Sequence, residues 1–198
     1  NGDMAVAKQL IDVAADAGAN AVKFQTFSAD DLILKSVEKA PYQTKTTSGD
    51  ESQYDMLKSL EVTTEQNIEL LTYCKQKNIT FLTTPFDEKS LDNLDVLDLP
   101  AYKVASTDLT NLPFLEKIAK KNKPIFLSTG MSYLTEIELA LSEIYPINKD
   151  VILLQCTANY PIKDDEANLA IINTFKDKFN IIVGYSDHSV GVGAAPYS

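Results

Sequence analysis

Six short stretches of the chain end in residues that can bind an anion or move a proton. They are Lys23-Phe24-Gln25, Thr83-Thr84-Pro85-Phe86, Lys103 with Ser106-Thr107-Asp108, Ser128-Thr129-Gly130-Met131, Cys156-Thr157 with Tyr160-Pro161, and Tyr185-Ser186-Asp187-His188. A lysine inside an apolar run costs several kcal/mol unless its charge is matched. For a single lysine, a stem that snorkels to the end of the run or a pairing with a carboxylate such as Asp108 suffices. Two of them, Lys23 and Lys103, each close to hydroxyls, point instead to an anionic ligand. Ser128-Thr129-Gly130 can present backbone N–H groups and hydroxyls to a phosphate, although alone it reads equally well as a plain turn. His188 is the chain's one histidine. With Ser186 and Asp187 beside it, a metal-binding or acid–base role stands level with a structural one. No Ser-His-Asp constellation, P-loop or zinc-type cysteine spacing is present.

The elements that must position these residues alternate. β-branched and apolar runs at Ala21–Gln25, Thr80–Thr83, Ala101–Ala105, Pro124–Ser128, Val151–Cys156 and Ile181–Gly184 read as strands buried on both faces, as in a parallel sheet. Amphipathic helices lie between them. The first places Val6, Leu10, Val13, Ala14 and Ala17 on its apolar face and stops at Gly18. The next opens on the capping box Thr63-Thr64-Glu65-Gln66 and places Ile68, Leu71 and Cys74 inward. Later helices use Leu91 and Leu94, Leu115 and Ile118, Ile137, Leu141 and Ile144, and Leu169, Ile172 and Phe175. Strand followed by covering helix, repeated, is an α/β pattern.

A closed (β/α)8 barrel takes about 250 residues, and its functional side chains sit at the C-terminal ends of its strands. The 198 residues predict such a TIM barrel with strands two to seven visible and the first and last missing. A doubly wound open sheet is the alternative. One connection, Phe27 to Val62, is far longer than an ordinary βα loop and carries Tyr42, Gln43, Lys45 and the polar run Thr46–Gln53. Loops of that length tend to be functional, so it is expected to cover the substrate.

Composition narrows the function classes. There are 28 acidic and 18 basic residues, for a net charge of −10. That balance argues against nucleic acid, which needs clustered cations. Any small anion must then be held by local lysines and amides. The hydrophobic fraction is 44%, no run is long enough for a membrane span, and no signal peptide is evident. Cys74 and Cys156 are too few and too far apart for a disulfide framework and read as buried free thiols. A single-domain cytoplasmic enzyme over residues 1–198 is the expectation.

The chain resembles the sialic acid synthase family, which includes N-acetylneuraminate synthases and their legionaminic acid relatives. The resemblance rests on Asn1-Gly2-Asp3, Gly18-Ala19-Asn20-Ala21-Val22-Lys23-Phe24-Gln25-Thr26-Phe27, Lys39-Ala40-Pro41-Tyr42-Gln43, Thr84-Pro85-Phe86-Asp87, Thr110-Asn111-Leu112-Pro113, Leu127-Ser128-Thr129-Gly130-Met131 and Gly184-Tyr185-Ser186-Asp187-His188, in that order. It implies condensation of phosphoenolpyruvate with the open-chain aldehyde of an N-acetylated hexosamine. The product is a nine-carbon acid, and phosphate is released. Lys23, Lys103 and Asp108 then take catalytic places, with the two lysines holding phosphoenolpyruvate. Thr84, Ser106 and Ser128 supply hydroxyl contacts, and Gly130 and Ser186 line the site. Gln25 and Tyr160 contact the sugar, and His188 is one of two metal-binding histidines. The implied cofactor is manganese or magnesium, polarising the aldehyde. The implied assembly is a homodimer.

The chain also departs from the family pattern. Ser106-Thr107-Asp108 stands for Ser-Gly-Glu, Gln155-Cys156-Thr157 for His-Cys-Thr, and Ala158 for a phosphate-contacting Asn. The strand-one Glu, the second metal histidine and the C-terminal antifreeze-like domain fall outside residues 1–198. Competing readings are a Schiff-base aldolase with Lys103 as nucleophile, another phosphoenolpyruvate–aldehyde condensation, and a truncated, non-catalytic chain.

Overall fold

A computed structural model describes residues 2–39 and 51–197. Residues 40–50 lie outside the described set, and with them Pro41-Tyr42-Gln43, Lys45 and most of the polar run. The chain divides into two compact units, residues 1–99 and 100–198.

In the first unit, α1 (Met4–Asp16) leads into β1 (Ala21–Thr26). Then come the short helices α2 (Ala29–Leu32) and α3 (Gln53–Lys58), α4 (Thr64–Gln76), β2 (Thr80–Pro85) and α5 (Glu88–Asn93). β1 and β2 pair in parallel, from Ala21 against Thr80 to Thr26 against Pro85. Local signals fix the helix ends. Asp3 accepts the Ala5 and Val6 amides at 2.7 and 3.2 Å, and Gly18 ends the helix with φ +79°. The capping box of α4 forms as expected, Gln66 N–H to Thr63 Oγ1 at 3.2 Å and Thr63 N–H to Gln66 Oε1 at 2.8 Å.

Two helix faces differ from the sequence expectation. In α1 the buried residue is Ile11, and Leu10 and Val13 are exposed. In α4 the inward residues are Asn67, Leu70 and Cys74, while Ile68 is exposed. The second change has a polar cause. The Asn67 amide donates to Thr26 Oγ1 at 3.1 Å, and Thr26 Oγ1 lies 2.9 Å from Thr83 Oγ1. The partners found there offset the desolvation that a buried, unpaired Asn67 amide would cost.

The second unit holds β3 (Tyr102–Val104), α6 (Leu112–Ala119), β4 (Ile125–Ser128), α7 (Leu134–Ile144), β5 (Val151–Gln155), α8 (Ala170–Phe179) and β6 (Ile182–Tyr185). Its four strands form one parallel sheet in the order β3-β4-β5-β6. All six strands read from the sequence are therefore present, and every strand pairing among the described residues is parallel. They are distributed between a two-stranded and a four-stranded sheet.

β2 is buried on both faces toward its end, but the strands of the second unit are not. Burial alternates along β3, β4 and β5. Tyr102, Val104, Ile125, Leu127, Val151 and Leu153 are sealed in the core together with Phe114, Leu115 and Ile118 of α6, Ile137, Leu141 and Ile144 of α7, and Ile172 and Phe175 of α8. Lys103, Phe126, Ile152 and Leu154 share the opposite, half-open face. Lys103 stands level with Phe126 in the parallel register, so its ammonium rises toward the C-terminal edge without crossing the core.

Candidate active site

At the C-terminal edge of the second unit's sheet, four strand ends form one string of contacts. Lys103 Nζ donates to Ser128 Oγ at 2.6 Å and to the Val104 carbonyl at 2.7 Å. Ser128 ends β4 and is buried. Two residues on, the Gly130 N–H donates to Ser106 Oγ at 3.0 Å and to Cys156 Sγ at 3.2 Å, and those two atoms are 3.1 Å apart. A Cβ at position 130 would lie 2.9 Å from both and 3.3 Å from Ala158 Cβ. Glycine is required here because three strand ends close on the turn, while Met131 beside it takes φ +62°. Thr129 anchors the turn from below through its amide and hydroxyl, 3.1 and 3.0 Å from the Leu154 carbonyl.

The string continues through Thr157. Its carbonyl lies 2.7 Å from His188 Nδ1. A carbonyl only accepts, so Nδ1 carries a hydrogen, and in the neutral ring Nε2 has the lone pair. Ser186 Oγ is 3.4 Å from Nε2, and the Tyr160 ring stacks on the imidazole with centroids 4.1 Å apart. Asp187 accepts the Ser189 amide at 2.8 Å, and that bond holds its carboxyl below the usual carboxylate range. Asp108 is buried in the turn after β3, with Thr107 Oγ1 donating to its carboxylate at 3.4 Å. A cavity of about 660 Å³ opens beside the ends of β4 and β5, lined by Thr129, Cys156, Thr157 and Ala158 together with Tyr133 and Phe175.

The first unit carries the remaining candidates. Lys23 and Gln25 alternate along β1 on its exposed face. Lys23 reaches solvent, yet the protein around its stem withdraws enough water for burial to lower its pKa. Gln25 lines a cavity of about 270 Å³ with Asp3, Phe27 and Glu61. Thr84 is buried at the end of β2 with its Oγ1 lacking a hydrogen-bond partner. Such an atom costs about 1–3 kcal/mol unless a ligand or water meets it.

The structure thus brings Lys103, Ser106, Ser128 and Gly130 together, and His188 with Tyr160 and Ser186. Chemically, the first group is a cluster of donors around an ammonium, suited to a compact anion. The sequence reading took Cys156 as a buried free thiol and gave it no role of its own. Its position directly after β5, level with the other strand ends, was the one signal for more. For a divalent metal the described residues offer the Nε2 lone pair of His188. Among them no group of three or more His, Cys, Asp or Glu side chains is placed to hold an ion.

The chain is similar to known proteins along nearly its whole length. The NeuB family model matches residues 10–197. The chain is 48% identical over 195 residues to N,N'-diacetyllegionaminic acid synthase of Campylobacter jejuni, covering 97% of this chain and 58% of that protein. It is 41% identical over 197 residues to the synthase of the same name from Legionella pneumophila, covering 97% and 55%. The crystal structure of N-acetylneuraminic acid synthetase from Leptospira borgpetersenii superposes with a TM-score of 0.85 at 34% identity, covering 98% of this chain and 63% of that one. The chain therefore spans somewhat over half the length of these relatives.

Proposed function

The chain belongs to the NeuB family, and from that membership we propose that it condenses phosphoenolpyruvate with the open-chain aldehyde of an N-acetylated amino-sugar. The enol carbon bonds to the aldehyde carbon, water adds to the carbon bearing the phosphate ester, and inorganic phosphate leaves. The observation that carries the reading is the contact of Lys103 Nζ with Ser128 Oγ at 2.6 Å, directly below the turn held by Ser106 and Gly130. An ammonium and hydroxyls at adjacent strand ends offer the charge-assisted hydrogen bonds that a phosphate or carboxylate needs. In the first unit, Lys23 and Thr84 serve an anion. This role is supported by the lysine's incomplete hydration and by the unpartnered Thr84 hydroxyl.

Tyr160 and Ser186 face the sugar, and Asp108 supplies the acidic group. The tautomer held by Thr157 leaves His188 Nε2 able to accept a proton or to contribute one ligand to manganese or magnesium. When bound, such an ion would supply Lewis-acid polarisation of the aldehyde. Parallel pairing in both sheets and the strand–helix alternation support a (β/α)8 barrel in which the six strands take the second to seventh places. A cytoplasmic homodimer completes the proposal. The two free buried thiols and the absence, among the described residues, of a helix able to cross a membrane are compatible with it.

Both legionaminic acid synthases among the relatives favour a diacetamido sugar as acceptor. The test is phosphate release from phosphoenolpyruvate with that sugar or N-acetylmannosamine, with manganese supplied. Release that depends on the sugar is expected, and none with either sugar overturns the proposal. Borohydride with a keto acid should trap nothing on Lys103, whose Nζ is engaged as a donor.

A further inference from the structure

Cys156 lies beneath the anion-binding turn, nearly sealed from solvent at 5% exposure, and its sulfur touches both polar atoms that define the turn. The Gly130 N–H is shared between Ser106 Oγ and Cys156 Sγ. The oxygen and sulfur, 3.1 Å apart, must themselves be donor and acceptor. Two arrangements satisfy that contact. If Ser106 donates to sulfur, its hydrogen is spent inside the protein and only lone pairs face outward. If the thiol donates to Ser106 Oγ, the serine accepts from both Gly130 and Cys156, and its hydroxyl hydrogen is free for a ligand. An anion recruits donors and repels lone pairs.

We infer that Cys156 is a positioning residue that donates its S–H to Ser106 Oγ and so directs the Ser106 hydroxyl hydrogen onto the bound anion. The close packing at Gly130, where even a methyl group would overlap both atoms at 2.9 Å, prevents the pair from drifting apart. Cys156 acts only through Ser106, because Ser106 is half-open and the thiol is buried behind it. The inference rests on the reading of this turn as the phosphoenolpyruvate site.

A double-mutant cycle tests it, with phosphoenolpyruvate binding measured by calorimetry, KM and kcat by phosphate release, and folding by thermal melts. Cys156→Ala should weaken phosphoenolpyruvate binding roughly three- to tenfold, the size of one net hydrogen bond, with KM moving more than kcat. Cys156→Ser, which keeps a donor, should recover most of that loss. In the Ser106→Ala background, Cys156→Ala should add nothing, because the atom it positions is gone. In a Cys74→Ala background the remaining S–H stretch should shift to lower frequency when phosphoenolpyruvate binds, a signature readable even if Cys156→Ala fails to fold. Wild-type affinity in a folded Cys156→Ala, full additivity in the cycle, or an S–H stretch indifferent to ligand each overturns the inference. Unchanged phosphoenolpyruvate binding in Ser106→Ala overturns the site reading itself, and the inference falls with it.

Discussion

Nδ1 of His188 lies 2.7 Å from the carbonyl oxygen of Thr157, so a residue two positions beyond the end of β5 fixes the tautomer of an imidazole that follows β6. Nitrogen-15 spectra of the imidazole should show the Nδ1–H form in the neutral state. The Nε2–H form would mean that the contact is not made in solution. His188→Ala should abolish metal-dependent phosphate release while leaving the fold intact, since the ring is only half-buried. Full activity of that variant would return the histidine to a structural role.

Removing the ammonium at position 103 tests the anion site directly. Lys103→Ala should weaken phosphoenolpyruvate use, read as kcat/KM, by on the order of 2–4 kcal/mol through loss of a charge-assisted contact. Kinetics unchanged from wild type would remove Lys103 from the site.

Gly130 separates packing from chemistry. Gly130→Ala places a methyl 2.9 Å from Ser106 Oγ and Cys156 Sγ, and overpacking of that kind costs roughly 1–3 kcal/mol. A lower melting temperature is expected, with a larger fall in activity because the displaced atom is Ser106 Oγ. A variant as stable and active as wild type would show that the turn has room the structure does not give it.

Lys23 yields a pH dependence whose sign follows from its lowered pKa. The folded state penalises its ammonium, so below the folded pKa the charge destabilises the protein. That penalty is relieved as pH rises toward the ordinary lysine value of 10.5. Denaturant melts of Lys23→Met should therefore show it more stable than wild type at neutral pH, the gap closing at alkaline pH. Bound phosphoenolpyruvate should close the same gap at neutral pH by pairing the charge. A difference independent of pH would contradict the assigned cause.

The departures from the sequence expectation are concentrated where polar atoms choose their own partners. Apolar spacing pointed to Ile68 on α4, but Asn67 turns inward where Thr26 on β1 meets its amide and is itself bonded to Thr83 on β2. The same limit hid Cys156. A thiol after a strand reads as a buried free thiol until the Gly130 turn of the neighbouring strand is seen to rest on its sulfur.

The six strands, their order, the capping box at Thr63, the stop at Gly18 and the gathering of Lys103, Ser106, Ser128 and His188 at strand ends were all determined by the sequence alone. Those features depend on local periodicity, on side-chain reach within a few residues, and on the rule that parallel strands carry their loops on a shared edge. The tertiary structure alone decided which faces α1 and α4 bury, that the sheet faces are unequal, which nitrogen of His188 bears its hydrogen, and that Ser106, Gly130 and Cys156 share one N–H. Each of these is a contact between residues distant in the chain, set by where hydrogen-bond partners meet in space, and no spacing along a single segment encodes that meeting.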